Sequence, residues 1–289
     1  MSLFNSIFNV DKCDNVSVEG LNSELYSIYI YNLFKKNNKN IVVVTNSLYE
    51  ANDVHSRVLN YTDDVLYFPM DDFLTSEALS ISPEFMIERI NTLNTLVKSN
   101  KKYIIVTNLM GILRYLPSTN TWKDSFINIS KNKDYDRDKL LSDLVNLGYK
   151  RESIVSETGT FAVRGYVIDI FPLGEENPIR LEFWGDTVDS VKYFDVDSQM
   201  TKRETDNIKI CPYTEFIVDN DKDSEDIIRK QKYLKHYSKS ISNLYDYTDK
   251  GICVYFDYGQ LLNAYKLLKE SILGYDDIDD YFRTNYMFD

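Results

Sequence analysis

Between Gly159 and Gly185 the chain reads GTFAVRGYVIDIFPLGEENPIRLEFWG, and this stretch narrows the possible folds more than any other. Residues 167–171 and 179–184 concentrate β-branched and aromatic side chains, and the intervening PLGEENP is turn material. The pattern predicts a hairpin. In its second strand Ile179, Leu181 and Phe183 alternate with Arg180, Glu182 and Trp184, so one face suits burial while the other presents a cation, an anion and an indole. An exposed indole between charges suits a docking surface.

At 289 residues the chain is long enough for about two domains, each with its own core. No apolar run approaches a membrane span; Ile-Val-Val-Val at 41–44 stops at Thr45. The first residues lack a basic segment followed by an apolar one, so no secretory signal is expected. Cys13, Cys211 and Cys253 are scattered without metal-ligand spacing, which predicts reduced structural thiols in a cytoplasmic protein. The net charge of −12 is spread as −3, −4 and −5 over residues 1–117, 118–212 and 213–289. No segment has the basic excess of a surface that neutralises nucleic-acid phosphates, and a protein partner with a mixed or basic surface is expected instead.

Residues 1–117 alternate helical and strand patterns. Leu21, Leu25, Ile28, Tyr29 and Leu33 recur at helical spacing, 41–45 is a short buried strand, and Asn46 or Ser47 can cap a helix to about Tyr61. Residues 65–69 make the next strand. Ser82, Pro83 and Glu84 supply a cap, a first-turn proline and an early acid for a helix to about Asn100. Residues 103–107 are again apolar and β-branched, with a short helix through Leu113. Strands separated by helices predict a parallel sheet covered on both faces. Residues 118–212 read differently: Leu140, Leu141, Leu144, Val145 and Leu147 form a helical stripe ended by Gly148, and antiparallel strands follow near 161–163, 166–171, 179–184, 188–194 and 208–211. One helix against such a sheet is a small α+β domain. In residues 213–289 a long helix over about 224–245, a buried strand at 252–256 and an amphipathic helix at 260–273 resume the first pattern. The expected fold class is α/β: a parallel-sheet domain of residues 1–117 and 213–289, interrupted by an inserted α+β domain, 118–212, with an antiparallel sheet.

A helicase-type nucleotide-binding sheet carries, before its first helix, a glycine-rich loop ending in Gly-Lys-Ser/Thr, whose amides and lysine hold phosphates. Here the loop reads VEGLNSELY: Gly20 remains, Ser23 takes the lysine's place and Glu24 the hydroxyl's. A carboxylate at that point repels a triphosphate. The domain is thus read as a degenerate P-loop-like one, with no nucleotide, metal or other cofactor expected, and Gly20 becomes a turn before a helix. At the end of strand 252–256, Asp257-Tyr258 stands where such an ATPase needs Asp-Glu to activate water. His55 and His236 lie on predicted helices with no serine or cysteine at a signature spacing; both are expected on the surface, and no catalytic residue is assigned. Asp71-Asp72 and the acids of 276–280 lack the calcium-loop pattern and read as solvated loops.

Arg151, Arg164, Arg180 and Glu182 are the constellation of most interest. Each arginine's planar fork can take a carboxylate bidentately, and several on one face make a patch that a partner's acids can read. Cross-strand pairing inside the domain, of Arg164 or Arg180 with Glu182 or Asp169, is the equal alternative. Arg164 also shares strand parity with Ile168 and Ile170, which requires a turn or bulge at Gly165 to turn it outward.

GTFAVRGYVIDIFP, PIRLEFWGD and VKYFDVDSQ together resemble the second domain of the nucleotide-excision-repair protein UvrB and, more closely, that of the bacterial transcription-repair coupling factors. Tyr67-Phe-Pro69, Ser82-Pro-Glu84 and Glu88-Arg89 resemble the first domain of that family, and Ile210-Cys-Pro212 with Glu215-Phe216 its exit from the second. The resemblance implies that the second domain docks UvrA, the damage-recognition ATPase. It implies that Arg151 in GYKRESIV, Arg164 in FAVRG, Arg180 in PIRLEF and Glu182 occupy interface positions, with Phe171 at an aromatic position of the same motif. Where UvrB has a further arginine this chain has Ala162, which points to the coupling factors. The family also implies masking of the surface by the parent's C-terminal domain, and RNA polymerase and DNA met only through parts absent here. The expected function is UvrA recruitment by protein docking in transcription-coupled repair, with no membrane association and no ATPase of its own. Two other readings stand beside it: an ATP-binding UvrB or helicase-type enzyme fragment, and a structural brace whose hairpin faces the parent's own domains.

Overall fold

The computed structural model describes residues 16–71, 82–218 and 234–274. It is mixed α/β, with parallel and antiparallel sheets, and divides into two compact units, Met1–Thr119 with Asn220–Asp289 and Asn120–Asp219.

The first unit starts with α1 (Ser23–Lys36), whose N-cap Asn22 accepts the Leu25 N–H at 2.9 Å and whose last turn carries Lys35 and Lys36. Both placements complement the helix ends. Tyr26, Ile30, Leu33 and Phe34 make its buried stripe, while Leu25 is exposed. The expected stripe is thus shifted in phase, because positions i, i+4, i+7 and i+8 from Tyr26 satisfy the 3.6-residue period as well and carry bulkier side chains. β1 (Ile41–Thr45) is buried from end to end. α2 (Leu48–Val58) opens on a reciprocal cap: Glu50 N–H donates to Ser47 Oγ at 3.2 Å and Ser47 N–H to Glu50 Oε2 at 3.3 Å. β2 (Val65–Phe68) and α3 (Pro83–Lys98) follow. Ser82, expected to cap α3, instead donates its hydroxyl to Glu84 at 2.6 Å, and Pro83 begins the helix. Buried Arg89 of α3 donates to the Pro69 carbonyl at 2.9 Å and Thr92 to that of Tyr67 at 2.7 Å, tying the helix to the end of β2. β3 (Ile104–Asn108), α4 (Leu109–Leu113) and β4 (Leu116–Pro117) end this leg.

In the second unit α5 (Thr119–Asp124) buries Trp122 completely, β5 (Ile127–Ser130) follows, and α6 (Arg137–Asn146) buries Leu140 and Leu144. Then come β6 (Lys150–Arg151), β7 (Thr160–Arg164), β8 (Val167–Ile170), β9 (Ile179–Trp184), β10 (Thr187–Phe194), β11 (Thr201–Thr205) and β12 (Asn207–Ile210). β6 to β11 form one sheet in the order β11-β10-β9-β8-β7-β6, antiparallel except for the β6–β7 pair. Ile168, Ile170, Ile179, Leu181, Val191 and Tyr193 are buried on its core side. β12, expected among the main strands, pairs only with β5 in a separate two-stranded ladder. Its partner explains the difference: β5 continues antiparallel register with β12 over four residues, Ile127↔Ile210 to Ser130↔Asn207.

The return leg contains α7 (Leu234–Tyr237), β13 (Ile241–Ser242), α8 (Leu244–Tyr247), β14 (Ile252–Tyr255) and α9 (Tyr258–Gly274). The long helix expected over 224–245 is not continuous; its part before 234 lies outside the described residues, and the rest is broken by β13, which pairs with β4. Asn243 and Asp246 form a second capping box that starts α8 afresh. β14 lies parallel to β1, giving a four-stranded parallel sheet in the order β14-β1-β3-β2. Ile41 and Val43 face a core built with α1 and α2, whereas Val42 and Val44 meet Leu261 of α9 and Leu109 and Ile112 of α4. β14 was expected to be buried; as the sheet's edge it is half-buried and leaves Tyr255 exposed.

Candidate functional site

β7 and β8 are joined by two residues, Gly165 and Tyr166, with Arg164 paired to Val167 across the turn. Gly165 has a φ of 57°, in the left-handed region such turns require and glycine adopts without a Cβ penalty. In a two-residue turn the paired residues i and i+3 share a face, so parity reverses across it. Arg164 consequently lies with Val167 and Asp169, not with buried Ile168 and Ile170, and no bulge is needed. Its side chain is exposed and makes no hydrogen bond or ion pair with another described residue.

Two rows of residues cross this face. Ala162, Asp169, Arg180, Lys192 and Glu204 stand opposite one another from β7 to β11, and Arg164, Val167, Glu182 and Ser190 form the next row. Arg180 takes Asp169 bidentately, donates also to Gln199 Oε1 at 3.0 Å, and lies with its guanidinium carbon 4.4 Å from the centre of the Phe194 ring. The Asp169 bond raises the Arg180 pKa further above its usual value. Glu182 accepts from Lys192 Nζ at 2.5 Å and Ser190 Oγ at 2.6 Å, and these bonds, Lys192 first, hold its carboxyl below the usual range. Asp189, the extra residue where β10 shifts register between Val188 and Ser190, is exposed. Of the residues singled out in the sequence, Arg164, Arg180 and Glu182 therefore share the face, and of these three Arg164 alone bonds no other described residue. Arg180 and Glu182 follow the intradomain alternative, with Asp169 and Lys192 as partners.

Arg151 is exposed on β6 at the far edge of the sheet, where Lys150 and Glu152 N–H bond to the Gly159 and Phe161 carbonyls. Phe171 is half-buried and continues the β7 pairing, donating to the Thr160 carbonyl and accepting from Gly159 N–H, both at 2.9 Å. Two aromatics that pattern alone did not mark as a pair, Tyr166 and Trp184, stand exposed at adjacent turns of the same sheet end.

In the other unit Gly20, Ser23 and Glu24 surround the start of α1. Asn22 caps the helix, and Glu24 pairs with Arg57, which also binds Asp53 at 2.8 Å. Asp257 serves as a helix cap: its Oδ1 accepts Gln260 N–H at 3.2 Å. His55 is not a surface residue as expected but half-buried and stacked on Tyr67, ring centres 4.6 Å apart, and burial lowers its pKa. His236 is exposed. Cys211 and Cys253 are free thiols; Cys13, Asp72 and the 276–280 acids lie outside the described residues. Among the described residues no His, Cys, Asp and Glu cluster could hold a metal ion, and no helix is long and apolar enough to cross a membrane.

A sheet buried on one side, with a hairpin-rich polar face on the other, defines an interaction module built on strands. Residues 127–216, which span that sheet and its β5–β12 annex, match the family model of the UvrB interaction domain. Its relatives among curated proteins are transcription-repair-coupling factors. That of Staphylococcus epidermidis RP62A is 31% identical over 266 residues, covering 91% of this chain and 22% of the relative. Those of Staphylococcus haemolyticus and Staphylococcus aureus RF122 are 34% and 36% identical over 220 residues, 75% of this chain and 19% and 18% of theirs. The chain spans about a fifth of the length of these relatives.

Proposed function

We propose that the antiparallel unit docks UvrA, and that the chain is the UvrA-recruiting part of a transcription-repair-coupling factor, acting in transcription-coupled nucleotide excision repair by protein contact. The observation that carries this reading is that Arg164 bonds no other described residue while the nearest carboxylates of its face are engaged, Asp169 by Arg180, and Glu182 by Lys192 and Ser190. An arginine so placed keeps its bidentate capacity for a partner's acid. The match to the UvrB interaction domain and the relatives named as transcription-repair-coupling factors support a protein-docking role in repair. Arg151 adds a second exposed cation at the sheet edge. Arg180 and Glu182 are positioning residues in this scheme, holding the strands beneath Arg164, and Phe171 anchors the β7–β8 pairing.

The parallel-sheet unit is read as a degenerate helicase-type nucleotide-binding domain that the docking unit interrupts, and no ATPase is assigned to it. Support comes from the start of α1, where Glu24 and the Asn22 cap stand at the helix end that a phosphate would need. RNA polymerase and DNA would be met by other parts of a full-length parent, and masking of the docking face by the parent's C-terminal domain would follow the family pattern. The setting is cytoplasmic.

Capture of purified UvrA by the immobilised chain tests the reading. Wild type should retain UvrA, and Arg164→Glu should weaken capture at least tenfold with an unchanged thermal midpoint. Equal capture by Arg164→Glu removes the site; no capture by folded wild type returns the chain to the role of a structural brace.

A further inference from the structure

Among the described residues β14 is a sheet edge that nothing guards. Its flanking amides, of Ile252 and Phe256, donate to the Asn40 and Val44 carbonyls at 2.8 Å, so by alternation Cys253 and Tyr255 turn their N–H and C=O groups to the open side. Other edges of the two large sheets are protected. At β2 the Thr92 hydroxyl and the Arg89 guanidinium take the Tyr67 and Pro69 carbonyls, β6 exposes Lys150 and Arg151, and β11 carries Lys202, Arg203 and Glu204. β14 reads Ile-Cys-Val-Tyr, with no charge and no proline. Its Ile252 and Val254 are only half-buried against the core on one face, and Tyr255 is exposed on the other.

Crossover handedness selects the part of the chain that fits this edge. α1 and α2 cover the same face of the sheet: Tyr26, Ile30 and Leu33 of α1 and Ala51, Val54 and Val58 of α2 close one core over Ile41 and Val43. β1, α2 and β2 make a parallel crossover that runs from β1 toward the β2 edge, and such units are right-handed in about 98% of cases. A strand that led into β1 through α1, on that same face, would keep this hand only by starting on the other side of β1. β14 holds the first place there, so the free place is its open edge. The four residues before Gly20, Val16-Ser17-Val18-Glu19, alternate apolar and polar as a half-buried strand does. Val16 and Val18 are 50% and 42% exposed, and the segment joins no ladder. Gly20, with a φ of 77°, allows the chain to reverse into α1, whose Tyr26 ring packs edge-on 4.7 Å from that of Phe256, the residue after β14.

We propose that residues 16–19 are a strap that closes on β14 as a further parallel strand. Four residues in extended form span about 13 Å, which matches the four residues of β14. In the closed form Val16 and Val18 lie beside Ile252 and Val254 under α1 and complete the cover of that core, while Ser17 and Glu19 share the wetter face with Tyr255. Closure gives the outward backbone groups of Cys253 and Tyr255 their partners. The open form, with both valines exposed, leaves an apolar template to which a strand of another chain can add.

Amide hydrogen exchange, read residue by residue in NMR spectra, tests the strap. In wild type the Cys253 and Tyr255 amides should exchange about a hundredfold or more slowly than in an unstructured peptide. The double change Val16→Asp with Val18→Asp should remove that protection while the Ile252 and Val254 amides, on the β1 side, keep theirs. Tyr255→Pro deletes an amide that bonds nothing within the described sheet, so it should lower the thermal midpoint of wild type and leave that of the double-valine variant nearly unchanged. Free exchange at Cys253 and Tyr255 in folded wild type overturns the strap, as does an equal drop in midpoint in both backgrounds. Protection that survives the valine changes overturns it too, and a dimer mass in ultracentrifugation then names a second copy of the chain as the occupant of the edge.

Discussion

Arg180 reaches across from β9 to grip both carboxylate oxygens of Asp169 on β8, Nε to Oδ1 at 2.7 Å and Nη2 to Oδ2 at 2.9 Å. Asp169 is only 2% exposed, so its charge depends on that one guanidinium. Removing one member of a buried pair leaves the other desolvated and uncompensated, at a cost of about 3–5 kcal/mol. With Arg180 partly open to water, Asp169→Ala should fall near the lower bound, about 3 kcal/mol, whereas Arg180→Glu sets a carboxylate against a buried one and should cost more. Urea unfolding followed by the emission of buried Trp122 reads this unit. Arg164→Glu should leave the urea midpoint in place, which makes it, and not Arg180→Glu, the clean probe of docking.

Glu182 provides a pH signature on the same face. Its carboxyl is held low by Lys192 and Ser190, so the folded state resists protonation more than the unfolded chain does. The stabilisation is complete above the unfolded value of about 4.3 and is lost as pH falls through the lower folded value, because in that window the unfolded state binds more protons. Asp195, held low by the Ser198 N–H and then by Lys202, acts in the same direction. Lys192→Met should move the Glu182 titration upward toward the ordinary range, as followed by the carboxyl carbon shift in NMR. It should also make the acid-induced loss of stability shallower. An unmoved midpoint would mean that Lys192 does not set it.

Gly159 is held at a point where backbone and ring leave no space. Its φ is 83°, its N–H and carbonyl bond Phe171 and Lys150 at 2.9 Å, and an added Cβ would overlap the Tyr213 ring. Gly159→Ala should destabilise by more than about 1 kcal/mol, from the left-handed backbone and the overlap together. Adding Tyr213→Ala to that variant removes the overlap alone. A residual penalty of about 1 kcal/mol relative to the Tyr213→Ala single variant should remain, measured as a double-mutant cycle in urea.

How far the sequence discloses this protein depends on whether a residue's role follows from local alternation or from register. β9 is readable because Ile179, Leu181 and Phe183 alternate with Arg180, Glu182 and Trp184, and β1 because five consecutive residues are apolar or β-branched and buried. β11, Thr-Lys-Arg-Glu-Thr, has no apolar member and is almost wholly exposed at a sheet edge, so nothing in its pattern marks a strand. The engagement of Arg180 and the freedom of Arg164 could not be separated in advance. Both arginines sit at alternating positions, and only the register set by the 171–178 connection places Asp169 directly opposite Arg180. Arg164 faces outward because the turn at Gly165 has two residues, a length that fixes parity but that composition does not announce.

The start of α1 makes a prediction about nucleotide. A phosphate bound at a helix N-terminus is held by free amides and the positive end of the dipole. Here the Leu25 amide is already bonded to Asn22 Oδ1 at 2.9 Å, and Glu24 places a carboxylate in the first turn, paired with Arg57. A triphosphate would have to displace the cap and approach that carboxylate. Mg-ATP should therefore give no binding heat and no thermal shift. A ligand present at about 100 times its Kd stabilises the folded state by about 2.7 kcal/mol, which in a domain of this size moves the midpoint by several degrees. A shift of that size with Mg-ATP, abolished by replacing Gly20 with a bulkier residue, would restore the enzyme reading and remove the non-ATPase assignment.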